Sequence, residues 1–287
     1  MAQVERSERR TTTQTETRPE GVVLPFTVLD PAARRSAGLT QLIEGEIIPR
    51  LLLAHGCETQ LEGATTRIPD ALDIDTLAEL AMAPDAGGLH NELQRLRDEG
   101  ISSESLLLDL ISPAARRLGV LWEQDTCSFA DVSIGLCRLQ QAIFGLNDAG
   151  VRSVSNDGRK ALFAVTPGDQ HGFAALTVSE YFRRAGWTAT CLTGVPANDL
   201  VAAVEGDWFD MIAFSMSDEK WLDRLPSVIA DMRARSKNRS IQVLVGGRVF
   251  DADPSRVDVV GADFTAADPR EGLVLAESRV VASQTVA

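Results

Sequence analysis

From residue 158 onward the sequence alternates between short apolar runs and helical stretches, which restricts the fold more than any other feature of the chain. ALFAV (161–165), WTATCL (187–192), DMIAFS (210–215) and IQVLVGG (241–247) read as strands. FAALTVSEYFRRAG (173–186), ANDLVAAVEG (197–206) and EKWLDRLPSVIADMRARS (219–236) read as the helices between them, with Pro226 marking a kink in the last. PSRVDVVG (254–261) and ADFTAAD (262–268) add a helix and a short closing strand. The basic run Arg233 to Arg239 reads as a helix end, where cations meet the negative end of the dipole. Strands separated by helices pair in parallel, with helices on both faces of the sheet. In such sheets ligands sit beyond the carboxyl ends of the strands.

The first half has a different period. Residues 39–56 (ending at Gly56, kinked at Pro49), 69–83, 87–98, 102–119 and 128–146 carry apolar residues at helical spacing and read as a small bundle. Asn156-Asp157-Gly158 is a turn or linker signal between the halves. The opening stretch MAQVERSERRTTTQTETRPE has too little apolar surface to offset its ordering entropy. The expected organisation is a disordered arm at 1–22, a helical bundle at 38–150 and a Rossmann-like, flavodoxin-like parallel-sheet domain at 158–280, an α plus α/β chain. Formal net charge is −13, from 28 basic and 41 acidic residues. DNA affinity rests largely on cations neutralising phosphates, so direct DNA binding is not expected. There is no apolar run long enough to span a membrane and no export signal, so a cytoplasmic protein is expected. The cysteines Cys57, Cys127, Cys137 and Cys191 form no CxxC pair and read as buried or half-buried thiols in a reducing compartment.

The strand-end loops are where chemistry is expected. They are Thr166 to Ala174 after the first strand, Ser215-Met216-Ser217 after the third, and Gly246-Gly247 after the fourth. With only His55, His90 and His171 in the chain, dense histidine metal sites are excluded. His171 alone is an ordinary loop histidine. Asp169 two residues earlier can anchor its second ring nitrogen, as a metal-bound imidazole needs, or can cap the following helix. Gly246-Gly247 is either a simple turn or a place where a bulky ligand approaches the backbone.

Taken together, Asp169-x-His171-x-x-Ala174, Ser215-x-Ser217 and Gly246-Gly247 resemble the D-x-H-x-x-G, S-x-L or S-x-T, and G-G elements of cobalamin-binding domains of the methionine synthase and methylmalonyl mutase type. The resemblance covers about 160 to 275, including GADFTAADPREGL. It implies cobalamin as cofactor, with His171 replacing the cofactor's own benzimidazole on cobalt. The displaced nucleotide tail would enter a slot past Ser215, Gly246 and Gly247, and Asp169, Gly172, Phe173 and Ser217 are further expected cofactor-binding residues. Ala174 departs from the usual glycine, and Ser217 from Leu or Thr.

LGVLWEQDTCSFADVS (118–133) is similar to the bundle that caps the upper face of cobalamin in light-sensing and methyl-transfer proteins. Trp122 fits the capping tryptophan there, or is a core residue. Val132 and Ser133 fall where a Glu-His pair is usual, so bis-histidine cobalt is not expected, and Asp125 replaces a usual glycine. The whole chain, lacking a catalytic barrel and a DNA-binding domain, resembles the antirepressors of photosynthetic bacteria of the AerR/PpaA type. That implies a non-enzymatic, light-responsive regulator of photopigment and photosynthesis genes. Its implied cofactor is hydroxo- or aquocobalamin after light, with adenosyl- or methylcobalamin before it, and its implied partner is a DNA-binding repressor of the CrtJ/PpsR type. The alternatives are a corrinoid carrier of a methyltransferase system and a haem-binding sensor of the same fold.

Overall fold

The computed structural model describes residues 67–146 and 158–286. The arm at 1–22, the helix expected at 39–56, His55, Cys57 and the Asn156-Asp157 turn lie outside the described residues.

The bundle starts are written in short side chains. Helix α1 (Ala71–Met82) is capped by Asp70, which accepts from the N–H groups of Leu72 and Asp73, while Asp73 answers to the Asp70 N–H. Helix α2 (Gly87–Asp98) follows. Helix α3 runs through Ser103–Ser105, a π-helical stretch Leu106–Ile111 and Ser112–Glu123, with the Ser102 hydroxyl capping it at Ser105. It extends past Gly119, where the sequence predicts its end, because Gly119 lies within a continuous run and the αL turn comes only at Asp125, φ 56°. That left-handed backbone is a physical reason for the glycine usual at this position. Helix α4 (Phe129–Gly145) opens on a Ser128–Asp131 capping box.

The second half is a five-stranded parallel sheet in the order β2-β1-β3-β4-β5, with β1 at Lys160–Val165, β2 at Thr188–Leu192, β3 at Met211–Ser215, β4 at Gln242–Gly246 and β5 at Phe264–Thr265. This is the flavodoxin-like order, whose switch point lies between β1 and β3. Helices α5 (Phe173–Arg184), α6 (Ala197–Gly206), α7 (Leu225–Arg235), α8 (Arg248–Ala252), α9 (Arg256–Val260) and α10 (Pro269–Val286) connect or follow the strands. Pro226 does not kink a long helix. It sits in the first turn of α7, after a separate 3-10 turn at Glu219–Arg224, where its missing N–H costs nothing. Helix α8 falls in a stretch to which the sequence pattern assigns no element, and the expected closing strand shrinks to the two residues of β5. The basic run does end α7: Arg233 donates to the carbonyls of Ile241 and Gly261 and to the Asp263 carboxylate.

Strand alternation divides the interior. Ala161, Phe163, Met211, Ala213 and Leu244 face one core, and Leu162, Ala164, Ile212, Phe214 and Val243 face the other. The first core is continuous with the bundle, joining Leu77, Leu110, Leu118 and Leu139 to Phe163, Phe182 and Trp187. Phe182 is its junction, edge-on to Phe163 at 5.1 Å and to Trp187 at 5.5 Å. A polar clamp reinforces the joint. Arg270 of α10 donates to both Asp109 oxygens at 3.0 and 2.8 Å and to Glu104 at 2.7 Å. Asp109 is the polar residue of the otherwise apolar π-helical stretch.

Phe182→Ala should cost about 3–5 kcal/mol. Because bundle and sheet share this core, far-UV circular dichroism and tryptophan fluorescence should shift together in urea. Separate transitions would show that the two halves have independent cores.

Candidate functional site

The register of the sheet assembles the site. Val165 pairs with Ser215, and Ser215 pairs with Gly246, so the loops after β1, β3 and β4 leave the sheet side by side. The Thr166 N–H and hydroxyl both donate to the Ser215 carbonyl, and the Met216 N–H donates to the Gly246 carbonyl, fastening the loops together.

On these loops Asp169, His171 and Ser217 form a closed hydrogen-bonded group. The Nδ1 of His171 lies 2.6 Å from Asp169 Oδ1 and 2.7 Å from the Ser217 hydroxyl. The other Asp169 oxygen accepts from the Ser217 N–H at 2.8 Å and from its hydroxyl at 2.7 Å. With an ionised Asp169, one proton arrangement satisfies every contact: Nδ1–H points at Asp169 and Ser217, and the serine hydroxyl donates to Asp169. In the neutral ring Nε2 then carries the lone pair. The Asp169 side chain is 1% exposed and that of His171 is 74% exposed, so a buried anchor holds out a free donor atom. Burial acts to raise the Asp169 carboxyl pKa. The hydrogen bonds from Ser217 and His171 outweigh it and hold the group below the usual carboxylate range.

Asp169 is not a helix cap. Gly172 occupies the N-cap position of α5, which has no side-chain cap bond, and the Asp169 oxygens are directed to His171 and Ser217. The Ser217 contact is not legible from the motif, because it requires β1 and β3 to be neighbours. Two further supports escape sequence reasoning. Arg248 donates to the Ser217 carbonyl at 3.1 and 3.3 Å. Trp221, held against Arg224 at 4.6 Å, covers Gly168 so closely that a Cβ there would lie 2.7 Å from the ring.

The same strand ends border an open slot of about 190 Å3 between the sheet, α5 and the start of α10, and Asp169, His171 and Ser217 are not among its lining residues. Ala174, Ser215, Gly246 and Gly247 line it, as do Ser112 and Arg116 from the bundle helix α3. The two glycines serve different needs. A Cβ on Gly246 would meet nothing within 4 Å, so it would project into open space. Gly247 has φ 96°, and a Cβ on it would lie 2.6 Å from the Met216 carbonyl oxygen. Gly172 is tight for another reason, its Cβ position being 2.9 Å from the Thr193 methyl, whereas Phe173 starts α5 and packs on the first core.

The two bundle residues singled out from sequence lie apart from the slot lining. Trp122 is 50% exposed, so it is not a core residue, and it stands edge-on to exposed Phe129 at 6.3 Å. Val132 is buried in the bundle core. Among the described cysteines, Cys127 and Cys191 are half-buried, but Cys137 is exposed, contrary to the expectation for all four.

Gly247→Ala should destabilise the fold by more than about 1 kcal/mol, and Gly246→Ala by less than about 0.5 kcal/mol, in urea unfolding. For Asp169 the folded pKa lies below its unfolded value of about 3.9. Its contribution is therefore present above that value and lost as pH falls through the folded pKa. Asp169→Asn should flatten the pH dependence of stability in that acid window and leave the slope above about pH 6 unchanged.

Residues 159–274 match the family model described as B12 binding domain. A curated relative, the uncharacterized 20.5 kDa protein in the bchF-crtJ intergenic region of Rhodobacter capsulatus, is 26% identical over 180 residues, covering 62% of this chain and 92% of its own. The monomethylamine corrinoid protein of Methanosarcina barkeri superposes with a TM-score of 0.58 at 14% identity, over 72% of this chain and 98% of that one. A cobalamin-binding protein from Desulfitobacterium hafniense DCB-2 is also similar, with a TM-score of 0.41 at 16% identity over 74% and 99% of the two chains. A flavodoxin-like sheet, a carboxylate-anchored histidine at its switch point and a slot lined by two glycines agree with that match, so the carboxy-terminal part of this chain, behind a helical bundle, is similar to B12-binding domains.

Proposed function

We propose that this chain is a light-responsive, cobalamin-binding antirepressor that acts by binding a DNA-binding repressor of the CrtJ/PpsR type, not by catalysis, in the cytoplasm. The observation that carries the cofactor half is the Asp169–His171–Ser217 group, which leaves Nε2 of an exposed imidazole as a free donor at the strand ends that border a slot. These residues fit cobalamin. His171 would hold the cobalt from below, Asp169 and Ser217 would fix the ring, and Ser215, Gly246 and Gly247 would admit the nucleotide tail. Bound cobalamin would supply the light-sensitive chemistry. The regulatory half is supported by the relative encoded in a bchF-crtJ intergenic region, since crtJ denotes the repressor type that the sequence resemblance implies as partner. The acidic surface, net charge −13, suits a protein partner better than DNA.

Signalling requires the light-generated form to prefer one arrangement of the partner-binding surface. Exposed Trp122 and Phe129 on the bundle offer apolar surface for the upper side of the ligand.

A corrinoid carrier of a methyltransferase system is the second reading, favoured by the fold shared with the Methanosarcina barkeri corrinoid protein. The test separates them. The full chain, purified in the dark, is offered adenosylcobalamin or hydroxocobalamin, stripped of free ligand and followed by visible absorption before and after light. Hydroxocobalamin should be retained and dark adenosylcobalamin should not, and His171→Ala should lose the retention together with any light-dependent binding of the repressor. Equal retention of both forms, with no effect of light on the repressor, would favour the carrier.

A further inference from the structure

One cation at the slot is an exposed arginine of the bundle. Arg116 lines the slot from α3, and among the described residues it makes neither a hydrogen bond nor an ion pair, whereas its neighbour Arg117 is paired with Asp75 at 2.6 Å. The slot is amphipathic. Its inner wall is apolar, with Val178, Ala213, Leu244 and Val245, and Arg116 and Ser112 stand on the bundle side. Two carboxylates also line it. Asp268 is committed to the start of α10, accepting the Glu271 N–H at 2.9 Å. Asp251 of α8 is the other, and the field of Arg116 reaches it: burial pushes the Asp251 carboxyl up and Arg116 draws it down.

An apolar pocket with a single uncommitted guanidinium suits a ligand that is flat and uncharged at one end and anionic at the other. A nucleotide tail has that make-up, a base joined through ribose to a phosphodiester. Guanidinium is the side chain best matched to phosphate oxygens. We infer that Arg116 is a specificity-determining residue of the slot, recognising the phosphodiester of the nucleotide tail, with Asp251 as the carboxylate that competes for it. This rests on the reading of the slot as the tail site. The bundle would thereby contact the lower half of the ligand as well as the upper, through one helix, α3.

The test is a set of visible-absorption titrations of the full chain with hydroxocobalamin, cobinamide phosphate and cobinamide, which carry the whole tail, the phosphate without the base, and neither. Arg116→Ala should weaken hydroxocobalamin and cobinamide phosphate about tenfold and leave cobinamide unchanged. Arg116→Lys should restore part of the loss by keeping the charge, and Asp251→Asn should tighten both phosphate-bearing ligands. Circular dichroism verifies that each variant is folded. Equal weakening of all ligands, no weakening of any, or a loss confined to hydroxocobalamin would overturn the assignment to phosphate. Wild-type protein that binds cobinamide as tightly as hydroxocobalamin would instead overturn the reading of the slot on which the inference rests.

Discussion

The hydrogen-bonded group of Asp169, His171 and Ser217 is the interaction around which the carboxy-terminal half is arranged. It needs two loops from two strands at a fixed separation, and the parallel pairing of β1 with β3 supplies that separation. It needs a buried carboxylate that stays charged, and the Ser217 N–H, its hydroxyl and the imidazole together offset the cost of burial. It also needs the ring turned outward on one tautomer, which the same carboxylate imposes. The topology of the sheet brings the two loops together, and the side chains of Asp169, His171 and Ser217 meet the other two requirements.

The bundle and the sheet are not two bodies joined by a linker within the described residues. They share a core through Phe163, Phe182 and Trp187 and are clamped by Arg270 on Asp109 and Glu104. Helix α3 accordingly reaches two places, carrying half-exposed Trp122 at its carboxyl end and placing Ser112 and Arg116, from its middle, on the slot. A change at the ligand that strains α3 is therefore felt in the shared core, where close packing resists gradual deformation.

Much of this architecture is legible in the amino-acid sequence. The strand runs alternate with helices of unmistakable period, and the loops carrying His171, Ser215 and Gly246-Gly247 follow from the rule that ligands sit at strand carboxyl ends. Side-chain partnerships across the sheet are not legible in that way. Ser217 reads as a variant motif position, and its bond to Asp169 exists only once β1 lies beside β3. Trp221 over Gly168 is hidden for the same reason, and the 3-10 turn that presents it looks like the start of a longer helix. Helix α8 escapes notice because five residues carry too little periodicity to register. Asp125 and Gly247 show the complementary case, where a departure from or agreement with a glycine pattern gains its meaning from a positive φ.

The central claim is that His171 ligates cobalt from below, and electron paramagnetic resonance of the protein loaded with cobalt(II) cobalamin tests it most directly. Protein is prepared with ordinary histidine and with nitrogen-15 histidine, while the cofactor remains unlabelled. If His171 is the lower ligand, the threefold splitting of the cobalt lines by nitrogen-14 becomes twofold in the labelled sample. A threefold pattern that persists in the labelled protein would mean that the benzimidazole stays on cobalt, and would contradict the assignment of His171.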